Sequence, residues 1–362
     1  MKKQLRYFMT LLLMMVVSVG WSQTGVKWVE TAPEQLKTGD VVVIVDKHSL
    51  KAMKNDGGHE ADAKATSIIF NKDTSEIAGK VDATLQWIVI VNDGSYQFKV
   101  PHLVDYLYCT TKNVLVGDNS NNKFSILKKS SNNQINNYLF NTGKNKYIGV
   151  NYDKWSCYDK YNNTVKATVT AFYKMVESVP VNDKGTATYV TKNVLNFSGI
   201  TDVKAYVATA QDGSNVTFTR VEGAVPAGTP LLVKGKTTDV PVTESATAPE
   251  KNLLVAGTGK GVASVTDDKY NFILNAPSGT VGFYKASNQT VATDRAYLSL
   301  SDNPFPSTKS GAKLNAIFSD GETTGINNVN VNDNVKIFNL AGQQMKGAVK
   351  GIYIKNGKKF VK

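Results

Sequence analysis

The sequence is short of the residues that most often carry chemistry. Its 362 residues include 3 histidines and 2 cysteines, too few for a multi-ligand zinc cluster or a disulfide-dense scaffold. Arginine is scarce as well: Arg6, Arg220 and Arg295 stand among 42 basic residues. Planar, bidentate capture of phosphates and base edges favours arginine. Nucleic-acid binding is therefore poorly supported, although the net charge is +12. Long apolar runs are also missing. The one candidate, Tyr7 to Val19, lies at the extreme N-terminus, so a polytopic helical membrane protein is excluded. What remains is 41% hydrophobic and 9% aromatic, too apolar for a wholly disordered chain and long enough for two or three domains.

Residues 1–22 have the layout of a secretory signal peptide. Lys2, Lys3 and Arg6 precede the apolar run, and Gly20 and Ser22 set small residues before a cut ahead of Gln23. The run is shorter than the roughly 20 residues that span a bilayer. Beyond it, charge is unevenly placed. Asn334–Lys362 holds 7 lysines and no acid, whereas residues 23–333 are close to neutral, with 32 basic and 30 acidic side chains. The basicity belongs to the tail.

The rest reads as all-β. Short runs rich in Val, Ile, Thr, Tyr and Phe, such as Val41–Val45, Gln86–Val91 and Val165–Tyr173, alternate with Asn, Asp, Gly and Ser clusters. Polar seams at Val176–Thr186 and Ser319–Asn334 read as linkers. They divide the chain into domains at 23–176, 186–320 and 324–362. The first carries a faint repeat, in which Val43–Lys54, Leu107–Asp118 and Leu139–Val150 each set a polar turn between apolar strands. Asn55–Lys80 reads as a long polar insertion. Three such hairpin units resemble a β-trefoil; another β-barrel or a sandwich stays open. The second domain has the strand spacing of a β-sandwich. Its Val203–Val207, Val221–Val233, Gly282–Lys285 and Arg295–Leu298 resemble a module of exported Bacteroidetes proteins that has no fixed chemistry.

The tail has the most specific pattern. Val335–Met345 is followed by Lys350-Gly-Ile-Tyr-Ile and a basic final strand ending at Lys362. It resembles the C-terminal sorting domain of the type IX (Por) secretion system, with Gly342, Gly351, Tyr353 and Lys362 on the motif positions. The resemblance implies recognition by outer-membrane secretion machinery and delivery to the cell surface or medium. An accessory hairpin of the second domain is the plainer alternative.

Catalytic motifs are mostly missing. His59-Glu60 opens like a metalloprotease helix, but Ala63 stands where the second histidine is needed. Gly257-Thr-Gly-Lys-Gly lacks the upstream glycine and the Ser/Thr of a phosphate loop. Cys109 lies in an apolar strand, where burial would raise its pKa and silence it as a nucleophile. Whether Cys109 and Cys157 pair stays open. The best binding candidate is the segment Tyr152–Asn163, whose rings at Tyr152, Trp155, Tyr158 and Tyr161 are interleaved with Asp153, Asp159 and Asn162. Aromatic faces pack on the C–H faces of sugars, while carboxylates and amides take the hydroxyls. A role in packing is the competing reading, and Trp155 is the residue expected to stack. The sequence thus reads as an exported binding or adhesion protein, with no enzyme activity, metal or cofactor expected. A lectin-like glycan binder is the alternative, and a secreted hydrolase without a motif the more distant one.

Overall fold

The structure, a computed structural model, describes residues 25–131, 134–277, 279–305 and 313–321, and four strands of the tail. Residues 1–22, Gly342, Gly351 and Lys362 lie outside them. Among the described residues, regular structure is almost entirely strand, with a few short helical turns.

The first body uses β1 (Val26–Thr31), β2 (Val41–Asp46), β3 (Lys51–Met53), β4 (Ala65–Ser67), β5 (Trp87–Asn92), β6 (Ser95–Lys99), β7 (Tyr106–Cys109), β8 (Val114–Gly117), β9 (Phe124–Ser131), β10 (Gln134–Asn141), β11 (Lys146–Asn151), β12 (Lys154–Tyr158) and β13 (Thr170–Val179). A single helical turn, α1 (Asn163–Ala167), joins the last two. Pairing runs β2-β3-β4, β5-β6-β7-β8 and β9-β10-β11-β12 in three consecutive meanders. Each of the three hairpins read from the sequence forms: β2 with β3, β7 with β8, and β10 with β11. The sheet curls back on itself where Ala65 N–H donates to Asp153 O at 2.6 Å and Trp155 N–H to Ala63 O at 2.8 Å. The expected insertion is thus partly a wall of the barrel, since it supplies β4.

Strand parity explains the sequence of β2. A half-buried strand alternates apolar and polar residues; Val41–Val45 is apolar throughout because both faces are covered. Val42 and Ile44 enter the barrel core with Trp87, Phe98, Leu139, Ile148 and Phe172. Val41, Val43 and Val45 enter a second core shared with Tyr189, Val207, Leu231 and Val233 of the next body.

That next body is a sandwich. A five-stranded sheet (Thr186–Val190, Pro230–Gly235, Val203–Asp212, Asn215–Val221, Asn315–Phe318) faces a second five-stranded sheet of shorter strands centred on Lys269–Asn275 and Ala296–Leu300. Between them pack Phe218, Leu232, Phe272, Phe283 and Leu298. The sheet that contains Val203–Asp212 is therefore a middle layer, with the barrel on its other face.

The seam at Val176–Thr186 differs from a linker. β13 continues through it to Val179, and residues 238–241 return from the second body to pair with that extension. Glu177 is completely buried there. It accepts hydrogen bonds from Tyr189 Oη at 2.7 Å, Lys192 N at 3.0 Å and Asn193 Nδ2 at 2.7 Å. A buried carboxylate persists only when so satisfied. The tail forms a four-stranded antiparallel sheet in the order 344–345, 337–339, 352–355, 358–361, and Tyr353 falls opposite Asn339 and Phe360.

Candidate functional site

The aromatic segment does not gather into one face. β11 and β12 form a hairpin in which Asn151 pairs with Lys154 and Val150 with Trp155. Tyr152 and Asp153 are its two-residue turn. Side chains alternate along β12, so Trp155 and Cys157 share the inward face. Trp155 is fully buried among the barrel side chains. The expectation that Trp155 stacks on a ligand is therefore corrected: parity places it in the core.

Tyr158 and Tyr161 also pack. A Cβ at Gly149 would lie 3.2 Å from the Tyr158 ring, so this glycine lets the ring lie across β11. Burial raises the Tyr158 phenol above its ordinary value. Tyr161 sets its edge against Tyr138 with ring centroids 5.1 Å apart and lies 5.7 Å from Tyr147. Lys129 Nζ is 4.7 Å from its centroid. Burial, then the Tyr138 hydroxyl, push Tyr161 up to about 12. Asp159 pairs with Lys146. Asn162 Oδ1 caps α1 by accepting from Val165 N at 3.0 Å. These four residues hold the base of the hairpin together, a structural duty that the spacing in sequence did not separate from binding.

The turn is different. Tyr152 is 86% exposed, and its φ is +56°. That left-handed conformation suits glycine or asparagine and is uncommon for a bulky residue. Asp153 beside it is exposed. Lys51 Nζ donates to the Tyr152 carbonyl. Lys154 pairs with Asp62 at 3.0 Å, and this bond and charge raise the Lys154 pKa. Along the same rim Ile68 N–H donates to Leu50 O at 3.0 Å; Leu50 is half exposed and Ile69 is 73% exposed. Sequence reasoning passed over Leu50, Lys51 and Ile69. Their one signal is Leu50-Lys51 beside the turn of the first hairpin.

The other candidates sit apart. His59 packs on Gly117 and lies 3.3 Å from Tyr108 Oη. Cys109 and Cys157 are thiols in the structure, with their sulfurs 2.8 Å apart inside the barrel. Burial pushes the Cys109 thiol strongly up.

No protein-family model matches the chain, and no curated protein matches it. Among solved structures it resembles SeviL bound to asialo-GM1 saccharide, at 10% identity over 38% of this chain and 97% of that one, with a TM-score of 0.27. It resembles the Polyporus squamosus lectin bound to a human-type influenza-binding epitope at 11% identity, over 40% of this chain and 51% of that one, with a TM-score of 0.30. A third likeness is the PSL1a-E64 complex, at 10% identity over 73% and 99%, with a TM-score of 0.32. Scores this low are reached by differently arranged strands and do not decide a function.

Proposed function

We propose that this chain is an exported, non-catalytic glycan-binding protein that meets its ligand at the tip of the β11–β12 hairpin. One observation carries the reading. Tyr152 holds a large ring in solvent at a backbone position that costs an L-residue about 1–2 kcal/mol. Packing gains little from a ring so exposed, and strain of this kind collects at functional sites. The exposed face of Tyr152 suits the C–H face of a sugar. The Asp153 carboxylate and the Lys51 ammonium can take its hydroxyls.

Export is supported by the leader-like residues 1–22 and by the sorting-like tail. The leader implies export from the cytoplasm, and the tail implies passage through outer-membrane secretion machinery to the cell surface or medium, where the partner would be a glycan or a surface polymer. The non-catalytic reading is supported by the silenced Cys109 thiol. The test is a glycan array probed with the chain from Gln23 onward, as wild type and as Tyr152→Gly. Retention of a defined glycan set by wild type, and its loss in the variant, is expected. No retained glycan, or equal retention by both, contradicts the reading.

A further inference from the structure

Two thiols meet inside the barrel, away from the hairpin tip. Cys109 ends β7 and Cys157 lies on β12. These strands belong to different meanders and are not ladder neighbours. Both side chains nevertheless enter the barrel core, where the sulfurs are 2.8 Å apart.

The two are not equally shielded. Cys109 is completely buried. It pairs with Val114 across the β7–β8 ladder, and its N–H donates to Asn121 O at 3.2 Å. Cys157 is 8% exposed. β12 ends the order β9-β10-β11-β12, so its second edge is covered by isolated bridges and not by a full strand. Beside Cys157 that cover is two residues long. Cys157 N–H donates to Lys112 O at 3.0 Å, its Sγ lies 3.2 Å from Asn113 O, and Asn113 bridges to Ser156.

Lys112 and Asn113 belong to the turn between β7 and β8. Its residues Thr110–Asn113 are polar and half to fully exposed. The turn is closed by Thr110 N–H to Asn113 O at 3.0 Å and by Asn113 N–H to Thr110 Oγ1 at 3.0 Å. A short exposed turn opens at far less cost than a core strand, and its opening uncovers Cys157 first. The chemistry points the same way. Burial, and next the Cys157 sulfur, push the Cys109 thiol far up, against the pull of the Lys146 ammonium. A thiol must ionise to attack a disulfide, so Cys109 is poorly suited to begin an exchange. Contact with Cys157 suits it to finish one, because that step is intramolecular.

We infer that Cys157 is an attacking thiol and Cys109 its resolving partner, in a pair that exchanges with small-molecule disulfides when the Thr110–Asn113 turn opens. Cys157 loses its proton to solvent, and its thiolate attacks one sulfur of the small disulfide. That S–S bond breaks and releases one thiolate. Cys109 then loses its proton and attacks the Cys157 sulfur of the mixed disulfide, releasing the second thiolate. The chain gives up two hydrogens and two electrons, and the small disulfide becomes two thiols. Neither step involves the Tyr152 tip.

The test follows the reduced chain from Gln23 onward in oxidised glutathione by intact mass over time. Wild type should lose two hydrogens and keep no glutathione. Cys109→Ala, without the resolving thiol, should retain one glutathione on Cys157. Cys157→Ala should stay unmodified while folded and take up one glutathione in denaturant. Thr110→Ala, which keeps both cysteines and loses a bond that closes the turn, should oxidise at least about threefold faster than wild type. This last comparison decides should a cysteine variant fold poorly. A folded Cys157→Ala that takes up glutathione as readily as Cys109→Ala overturns the proposal. So does a Thr110→Ala that oxidises no faster than wild type, or a wild type that keeps both thiols.

Discussion

The two ends of the β11–β12 hairpin use the same residue types for opposite ends. At the base, Tyr158 and Tyr161 press against Gly149, Tyr138 and Tyr147. At the tip, Tyr152 stands in solvent on a strained turn. Between them Trp155 faces the barrel core. The rings recur every three residues in sequence, but a strand repeats every two. Period three therefore sends successive rings to different surroundings, and Tyr152 in the turn and Tyr161 beyond the end of β12 escape the alternation. Exposure here is decided by parity and by turn position, not by how polar the neighbouring residues are.

That contrast can be broken at each position in turn. Trp155→Ala should have the largest effect, a loss of about 3–5 kcal/mol of stability, as for other buried large-to-small changes. Denaturant unfolding measures it; a change below about 1 kcal/mol would mean that the ring is not core. The next effect concerns the barrel between base and tip. The two thiols already touch, and an exported chain meets oxidising conditions. Closing the 48-residue separation should add about 4 kcal/mol by chain entropy, less any strain. Intact-mass measurement of the protein kept in an oxidising glutathione buffer should show two hydrogen atoms fewer than after reduction, and reductant should lower its melting temperature.

The base should also respond to alkali, because Tyr161 titrates higher in the folded state, at about 12, than its ordinary value of 10.0. Its contribution is then complete below the unfolded pKa and fades as pH rises from about 10 to 12. Stability should fall over that window, and Tyr161→Phe should flatten the fall. Tyrosinate absorbance followed alongside unfolding would check it. The smallest effect on stability belongs to the tip. Tyr152→Gly should change it by no more than about 1 kcal/mol, in the stabilising direction where relieved strain exceeds the added chain entropy.

Much of the architecture was legible in the sequence, and the reasons are local. Polar turns between apolar pairs marked the three hairpins, and the apolar run of β2 marked a strand, while the covering of both its faces emerged only with the structure. Glu177 shows where that reading fails. It stands in a polar stretch resembling a linker, yet it is buried because residues 238–241 come back from the second body to cover β13. Such long-range pairing leaves no mark in a local window. Trp155 was misplaced for a related reason: its polar neighbours Lys154 and Ser156 are what the outward parity of a half-buried strand requires, and they say nothing against an inward tryptophan.

The central claim is that Tyr152 is kept for a ligand and not for the fold. The most direct measurement is a paired one on Tyr152→Gly: its melting temperature, and its Kd for the glycan that the wild-type chain retains. The account predicts an unchanged or higher melting temperature with affinity weakened by at least about fivefold, equivalent to ~1 kcal/mol. A variant that binds as tightly as wild type, or that loses several degrees of melting temperature along with its affinity, would contradict it.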